Sequence, residues 1–189
     1  MLRAYLAGPD VFLVNALEQA RAKVAICARY NIEGCPPLNE DAGALAGLSD
    51  DDAWRTIYAK DIAMMEAADL VIANLTPFRG ASADSGTLVE LGWFLGRSRP
   101  VFGYSNTATP FAGRCRTLLA LQPDPMPGLS VEGFGLPDNL MIPGAVLWGG
   151  GHPIVLPDDG RDRRFDALDV FERCVALAAS VLGSAEKST

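Results

Sequence analysis

The sequence predicts an α/β fold: a single-domain, three-layer sandwich in which a central parallel sheet lies between helices. Three observations point to it. Short apolar runs at residues 3–8, 69–75 and 100–104 read as strands, and the last two are continuous enough to be buried on both faces. Segments with helical spacing separate the runs. A chain of 189 residues is one domain by length, and alternating strands and helices imply parallel pairing with helices on both faces. The expected sheet has about five strands and is flavodoxin-like or Rossmann-like.

In chain order, residues 3–8 form a short apolar run that ends in Gly8-Pro9, a strand entering a loop. Residues 12–30 are alanine-rich with apolar positions at helical spacing. Residues 31–35 are a short strand stopped by Pro36-Pro37. A Gly-, Ala- and Asp-rich loop covers 38–48. Ser49 or Asp50 caps the next helix, which reaches about Ala68. Residues 69–75 are a buried strand, 76–83 a loop, 85–96 a helix and 100–104 another buried strand. The Pro- and Gly-rich stretch 106–144 is irregular apart from a short helix at 114–121. Val146-Leu147-Trp148 is the expected last strand, and 165–182 the closing helix. The domain is expected to span 1–184, with 185–189 a flexible tail.

Composition limits the function classes. Nearly half the residues are apolar, enough for a sizeable core. A formal net charge of −7 and a pI near 4.7 argue against nucleic acid or an anionic membrane as partner, since both require a basic face. No apolar run is long enough to cross a bilayer, and the N-terminus lacks signal-peptide features, so a cytoplasmic location is expected. Cys27, Cys35, Cys115 and Cys174 form no C-x-x-C pair, and His152 is the single histidine. A zinc site is therefore not expected, and no serine is marked as a triad partner for His152. Neither a dinucleotide fingerprint nor a P-loop occurs, so no cofactor is expected.

In a parallel α/β sheet, ligands bind beyond the carboxyl ends of the strands. Tyr5, Gly8, Asp84 and Glu90 all lie at or beyond predicted strand ends. Each also has a plain structural reading. Tyr5 suits core packing. Asp84 suits an N-cap. Glu90 suits either a capping box with Thr87 or a solvated helix face. Asp61 falls on the helix stripe formed by Trp54, Ile57, Tyr58, Met65 and Ala68, either as a site residue or at the stripe's wet edge.

Several pieces occur together: Y-L-A-G-P from Tyr5, the acid Asp61 in Y-A-K-D-I, the strand A-D-L-V-I-A-N-L from Ala68, D-S-G-T-L-V-E-L-G from Asp84, and L-P-D-N-L-M from Leu136. In these the chain resembles the nucleoside 2-deoxyribosyltransferases. The resemblance covers roughly 1–148 and finds no counterpart for 161–189. It implies cleavage of the N-glycosidic bond of a 2′-deoxynucleoside and transfer of deoxyribose to an acceptor nucleobase. Glu90 then matches the nucleophile, Tyr5 the tyrosine that positions it, and Asp61 an acid near the base. Asp84 matches the acid that binds sugar hydroxyls. Asn139, from a neighbouring subunit, and Met141 match pocket residues, while Gly8 and Gly86 match substrate-binding positions. The resemblance further implies a dimer or an assembly of dimers with shared sites, and no cofactor.

The implied chemistry is coherent. A carboxylate beside the anomeric carbon stabilises and captures an oxocarbenium-like centre, and two displacements give net retention. An acid with a raised pKa protonates the leaving base. Related enzymes that hydrolyse deoxynucleoside 5′-monophosphates resemble this chain but tend to carry serine at the Asp84 position. A carboxylate there repels a phosphate dianion and suits a free 5′-hydroxyl, although Ser82, Ser85 and Arg79 lie near enough in sequence to hold a phosphate. The alternatives are an N-glycosidase of the same architecture and a non-catalytic nucleotide-sensing module.

Overall fold

Period-two alternation along the strands sorts the core into two halves. In the computed structural model, which describes residues 1–38, 45–121, 124 and 126–185, four parallel strands form one sheet in the order β2-β1-β3-β4. They are β1 (Leu2–Tyr5), β2 (Ile32–Cys35), β3 (Leu70–Asn74) and β4 (Val101–Tyr104). Ala4, Leu70, Ile72, Phe102 and Tyr104 face one side, packed on α1 (Ala16–Arg29) and α6 (Asp169–Ala185). Tyr5, Val71, Ala73 and Val101 face the other, against the end of α2 (Asp50–Glu66), α3 (Ser85–Gly96) and α5 (Met141–Gly150). This is the expected three-layer α/β sandwich. Tyr5 pairs with Val71 and Cys35 in register, and its ring points into the α3 layer.

The order 2-1-3-4 reverses direction between β1 and β3, where parallel sheets open a crevice at their carboxyl ends. Sequence features place the flanking elements there. A 3-10 turn, Pro9–Phe12, follows β1 and precedes α1, so the helix expected from residue 12 begins at Ala16. The Ser49 hydroxyl accepts the Asp52 N–H at 3.2 Å, and three aspartates in the first turn favour the positive end of α2. Asp84 caps α3 in the same way. Helix α4 (Phe111–Leu121) starts slightly before the expected 114.

Two expectations are corrected. Residues 146–148 are not a strand. They lie within α5, and the sheet has four strands among the described residues, with Val155 adding one parallel bridge to Tyr104. An apolar run this short does not distinguish strand from buried helix. Spacing decides for helix: Ile142 and Val146, four apart, are buried, while Leu147 and Trp148 face outward. The helix end also needs Gly150, where a Cβ would lie 2.1 Å from the Val101 carbonyl oxygen. The stripe on α2 is likewise not core-facing throughout. Trp54 and Tyr58 are 52% and 60% exposed, and Met65 is the buried residue of that helix.

The C-terminal segment, which has no counterpart in the resemblance, is integral to the core. Val170, Phe171, Cys174, Val175 and Ala178 of α6 are all fully buried against the sheet. Ala185, expected as the first tail residue, falls in α6, and 186–189 of the expected tail lie outside the described residues, as do 39–44 of the expected loop. Among the described residues no helix is long and apolar enough to cross a membrane.

Candidate active site

A cleft of about 910 Å³ opens at the β1/β3 crevice, within the range of small-molecule sites. Asp61, Asp84 and Glu90 line it together with Gly8, Gly86 and Thr87, and Val11, Phe12 and Ile57 supply apolar wall. Strand β1 delivers Tyr5 beneath the cleft, α2 delivers Asp61, and α3 delivers Asp84 at its cap and Glu90 in its second turn.

Glu90 does not fold back onto Thr87. The cap of α3 is Asp84, whose Oδ2 accepts the Thr87 N–H at 3.0 Å and the Thr87 hydroxyl at 3.2 Å. Glu90 therefore sits inside the helix and turns toward the sheet. There the Tyr5 hydroxyl donates to its Oε1 at 2.7 Å. Burial pushes the Glu90 carboxyl up to about 7; the Tyr5 hydrogen bond opposes this, and the nearby charges of Asp61 and Asp84 add to it. Burial, with the Glu90 charge beside it, also drives the Tyr5 hydroxyl far above its usual range, so it remains a donor. Burial raises the Asp61 carboxyl, and the Lys60 charge partly offsets that rise.

Gly8 meets a close approach. A Cβ there would lie 2.7 Å from the Asn74 Cβ and 2.7 Å from Asp10 Oδ2. The neighbouring turn is held from below by an ion pair between Lys23 and Asp10 at 2.7 Å, with the Asn74 amide donating to Asp10 at 3.1 Å. Lys23 is 3% exposed and lies over the Tyr104 and Phe171 rings.

The structure brings Tyr5, Gly8, Asp61, Asp84, Gly86 and Glu90 together, and leaves Asn139 and Met141 apart. Neither lines this chain's cleft. The Asn139 amide donates to Glu132 at 2.9 Å, and Met141 is 71% exposed at the start of α5. Phe12, Ile57 and Arg21, which also line the cleft, carried no distinguishing signal in the sequence. Phe12 in particular reads as an ordinary first residue of the α1 pattern.

Comparison with known proteins places the chain in a family. A family model described as nucleoside 2-deoxyribosyltransferase matches residues 4–141. An uncharacterized protein of Schizosaccharomyces pombe is 28% identical over 164 residues, 78% of this chain and 78% of its own length. Among solved structures, a 2-desoxiribosyltransferase from Leishmania mexicana is similar with a TM-score of 0.64 at 27% identity, covering 95% of this chain and 98% of that one. A conserved protein from Enterococcus faecalis V583 shares the fold, with a TM-score of 0.54 at 20% identity over 93% of this chain and 98% of its own. With the family model matching well over half of its length, the chain belongs to the nucleoside 2-deoxyribosyltransferase family.

Proposed function

We propose that this protein transfers 2-deoxyribose between nucleobases, with Glu90 as the nucleophile. The observation that carries this reading is the Tyr5–Glu90 hydrogen bond at the floor of a cleft that also holds Asp61 and Asp84. Catalysis by this set is straightforward. The Glu90 carboxylate bonds to the anomeric carbon as the glycosidic bond to the base breaks. Tyr5 orients the attacking carboxylate by donating to it while keeping its own hydroxyl proton. Asp61, raised by burial, carries the proton that the leaving base requires. The incoming base then displaces Glu90 from the opposite side as its N–H proton passes to Asp61, restoring the configuration, the Glu90 carboxylate and the Asp61 acid. Asp84 accepts from a sugar hydroxyl, and Gly8 and Gly86 line the cleft beside it.

A free nucleoside suits the rim better than a 5′-phosphate. Arg79, Ser82 and Ser85, the side chains nearest in sequence that could bind phosphate, line a separate pocket, but Asp84 lines it too and its carboxylate repels a phosphate dianion. Ser82 donates to Asp138 at 2.6 Å, Arg79 packs 5.0 Å above the Phe78 ring and 5.6 Å above Phe12, and Asp84 stands between Ser82 and Ser85 with its negative charge.

The same reading makes the protein an oligomer. Val89 on α3 and Met141, Leu147 and Trp148 on α5 are between 53% and 88% exposed, an apolar surface beside the helix that carries Glu90. A second copy covering it would bring Asn139 and Met141 to a neighbouring cleft. Trp148→Glu is expected to shift the protein to monomers in sedimentation without unfolding it.

The activity test is 2′-deoxyinosine with and without adenine, using wild type and Glu90→Gln. Deoxyadenosine formed only with adenine, and lost in the variant, supports transfer through Glu90. Hypoxanthine with free deoxyribose and no deoxyadenosine would replace transfer with hydrolysis. No turnover of any deoxynucleoside would reject the transferase reading and leave the nucleotide hydrolase or the sensing module.

A further inference from the structure

Asp138 is 1% exposed, yet its carboxylate is surrounded by donors. Oδ1 accepts from the Ser82 hydroxyl at 2.6 Å and the Asn139 N–H at 2.8 Å, and Oδ2 from the Ala83 N–H at 2.9 Å. The Arg114 guanidinium stands 3.7 Å from Oδ2 and donates to the carbonyls of Ala81, Thr109 and Pro137. Two chain segments far apart in sequence are thus tied to one buried ion pair. Both lead directly to a site residue: Ala83 precedes Asp84, and Asp138 precedes Asn139.

The position of Asp84 depends on that tie. Both of its cap bonds use Oδ2, and among the described residues Oδ1 has no protein partner. Where Oδ1 stands in the cleft is then set by the backbone entering α3, and that backbone is held at Ala83 by Asp138. A sugar-binding carboxylate displaced by even an ångström loses much of its effect.

We propose that Asp138, braced by Arg114, is a positioning residue for sugar recognition: it fixes the entry to α3 so that Asp84 meets a hydroxyl of the bound nucleoside, and it holds Asn139 in the same cluster. The proposal rests on the reading of Asp84 as the sugar-hydroxyl acceptor.

The test is a ratio that is independent of how much protein is folded. kcat/KM for 2′-deoxyinosine is divided by that for 2′,5′-dideoxyinosine, with adenine as acceptor, in wild type, Asp84→Ala, Asp138→Asn and Ser82→Ala. A charged hydrogen bond to the 5′-hydroxyl predicts a wild-type ratio of roughly 10 to 100. Asp84→Ala brings it close to one. Asp138→Asn, which offers an amide N–H where Ala83 or Ser82 also donates, lowers it about tenfold. Ser82→Ala, the milder change kept in case Asp138→Asn folds poorly, lowers it by a factor of about three. A purely structural role would reduce yield and melting temperature and leave the ratio at its wild-type value. That result in Asp138→Asn or Ser82→Ala, with the ratio collapsed in Asp84→Ala, overturns the proposal and spares the function. An unchanged ratio in Asp84→Ala, or no turnover and no calorimetric binding of either nucleoside by wild type, overturns both.

Discussion

Glu90→Gln is expected to stabilise the folded chain while abolishing transfer, and the stabilisation should grow with pH. Glu90 is held at about 7, against 4.5 for an ordinary glutamate. Such a group contributes stability that is complete below about pH 4.5 and is lost as pH rises through about 7. At 1.36 kcal/mol per tenfold change in proton affinity, burying this carboxyl costs the native state about 3 kcal/mol at pH 8, where it is ionised, against roughly 1 kcal/mol at pH 5.5, where folding takes up a proton. Glutamine fills nearly the same volume, and its carbonyl accepts the Tyr5 hydrogen bond, but it never ionises. Urea unfolding of both proteins at pH 5.5 and 8 is therefore expected to show an advantage for the Glu90→Gln variant that widens by about 2 kcal/mol between the two conditions. The groups facing Glu90 are Tyr5, Asp61 and Asp84. Tyr5 stays neutral throughout, and repeating the series in an Asp61→Asn background isolates the Glu90 contribution from Asp61. A variant no more stable than wild type at pH 8, or an advantage that does not change with pH, would refute the argument that burial holds this carboxylate at a cost. The same titration predicts that transfer rises with pH through about 7 as the nucleophile ionises.

Other perturbations separate the remaining parts of the site. Tyr5→Phe removes the hydrogen bond that favours ionised Glu90, so the acidic limb of the pH–rate profile moves to higher pH and kcat/KM falls about 10- to 100-fold. Lys23→Met leaves the Asp10 carboxylate without its cation beneath the Pro9–Phe12 turn, and denaturant unfolding should show a loss of about 3–5 kcal/mol; replacing Asp10 by Asn in the same variant should recover part of it. Gly150→Ala drives a methyl against the Val101 carbonyl, so α5 must shift off β4, and the melting temperature should fall by several degrees.

Much of the architecture is readable from local chemistry. Continuous apolar runs marked β3 and β4. Ser49 and Asp84 marked the starts of α2 and α3, because a cap bonds to N–H groups only two or three residues away. The resemblance at D-S-G-T-L-V-E-L-G marked Glu90, which periodicity alone leaves between a capping box and a solvated face. What the sequence determined by itself is therefore the short-range part: element type where the run is long or capped, the acidic composition, and the family carried by its motifs. Tertiary structure decided the rest. Whether Val146-Leu147-Trp148 is strand or helix depended on which of these side chains the rest of the fold covers: Ile142 and Val146 are buried while Leu147 and Trp148 face outward. Whether Trp54 and Tyr58 are core or exposed depended on α2 burying itself only near Met65. Whether Glu90 is solvated depended on Tyr5, 85 positions earlier, reaching it from the sheet. Asp138 appeared in the sequence only as one letter of a motif, and its importance comes from donors at residues 82, 83 and 114 that the fold alone brings within reach. A pKa and a hydrogen bond are properties of neighbours in space, and for this site those neighbours are distant in the chain.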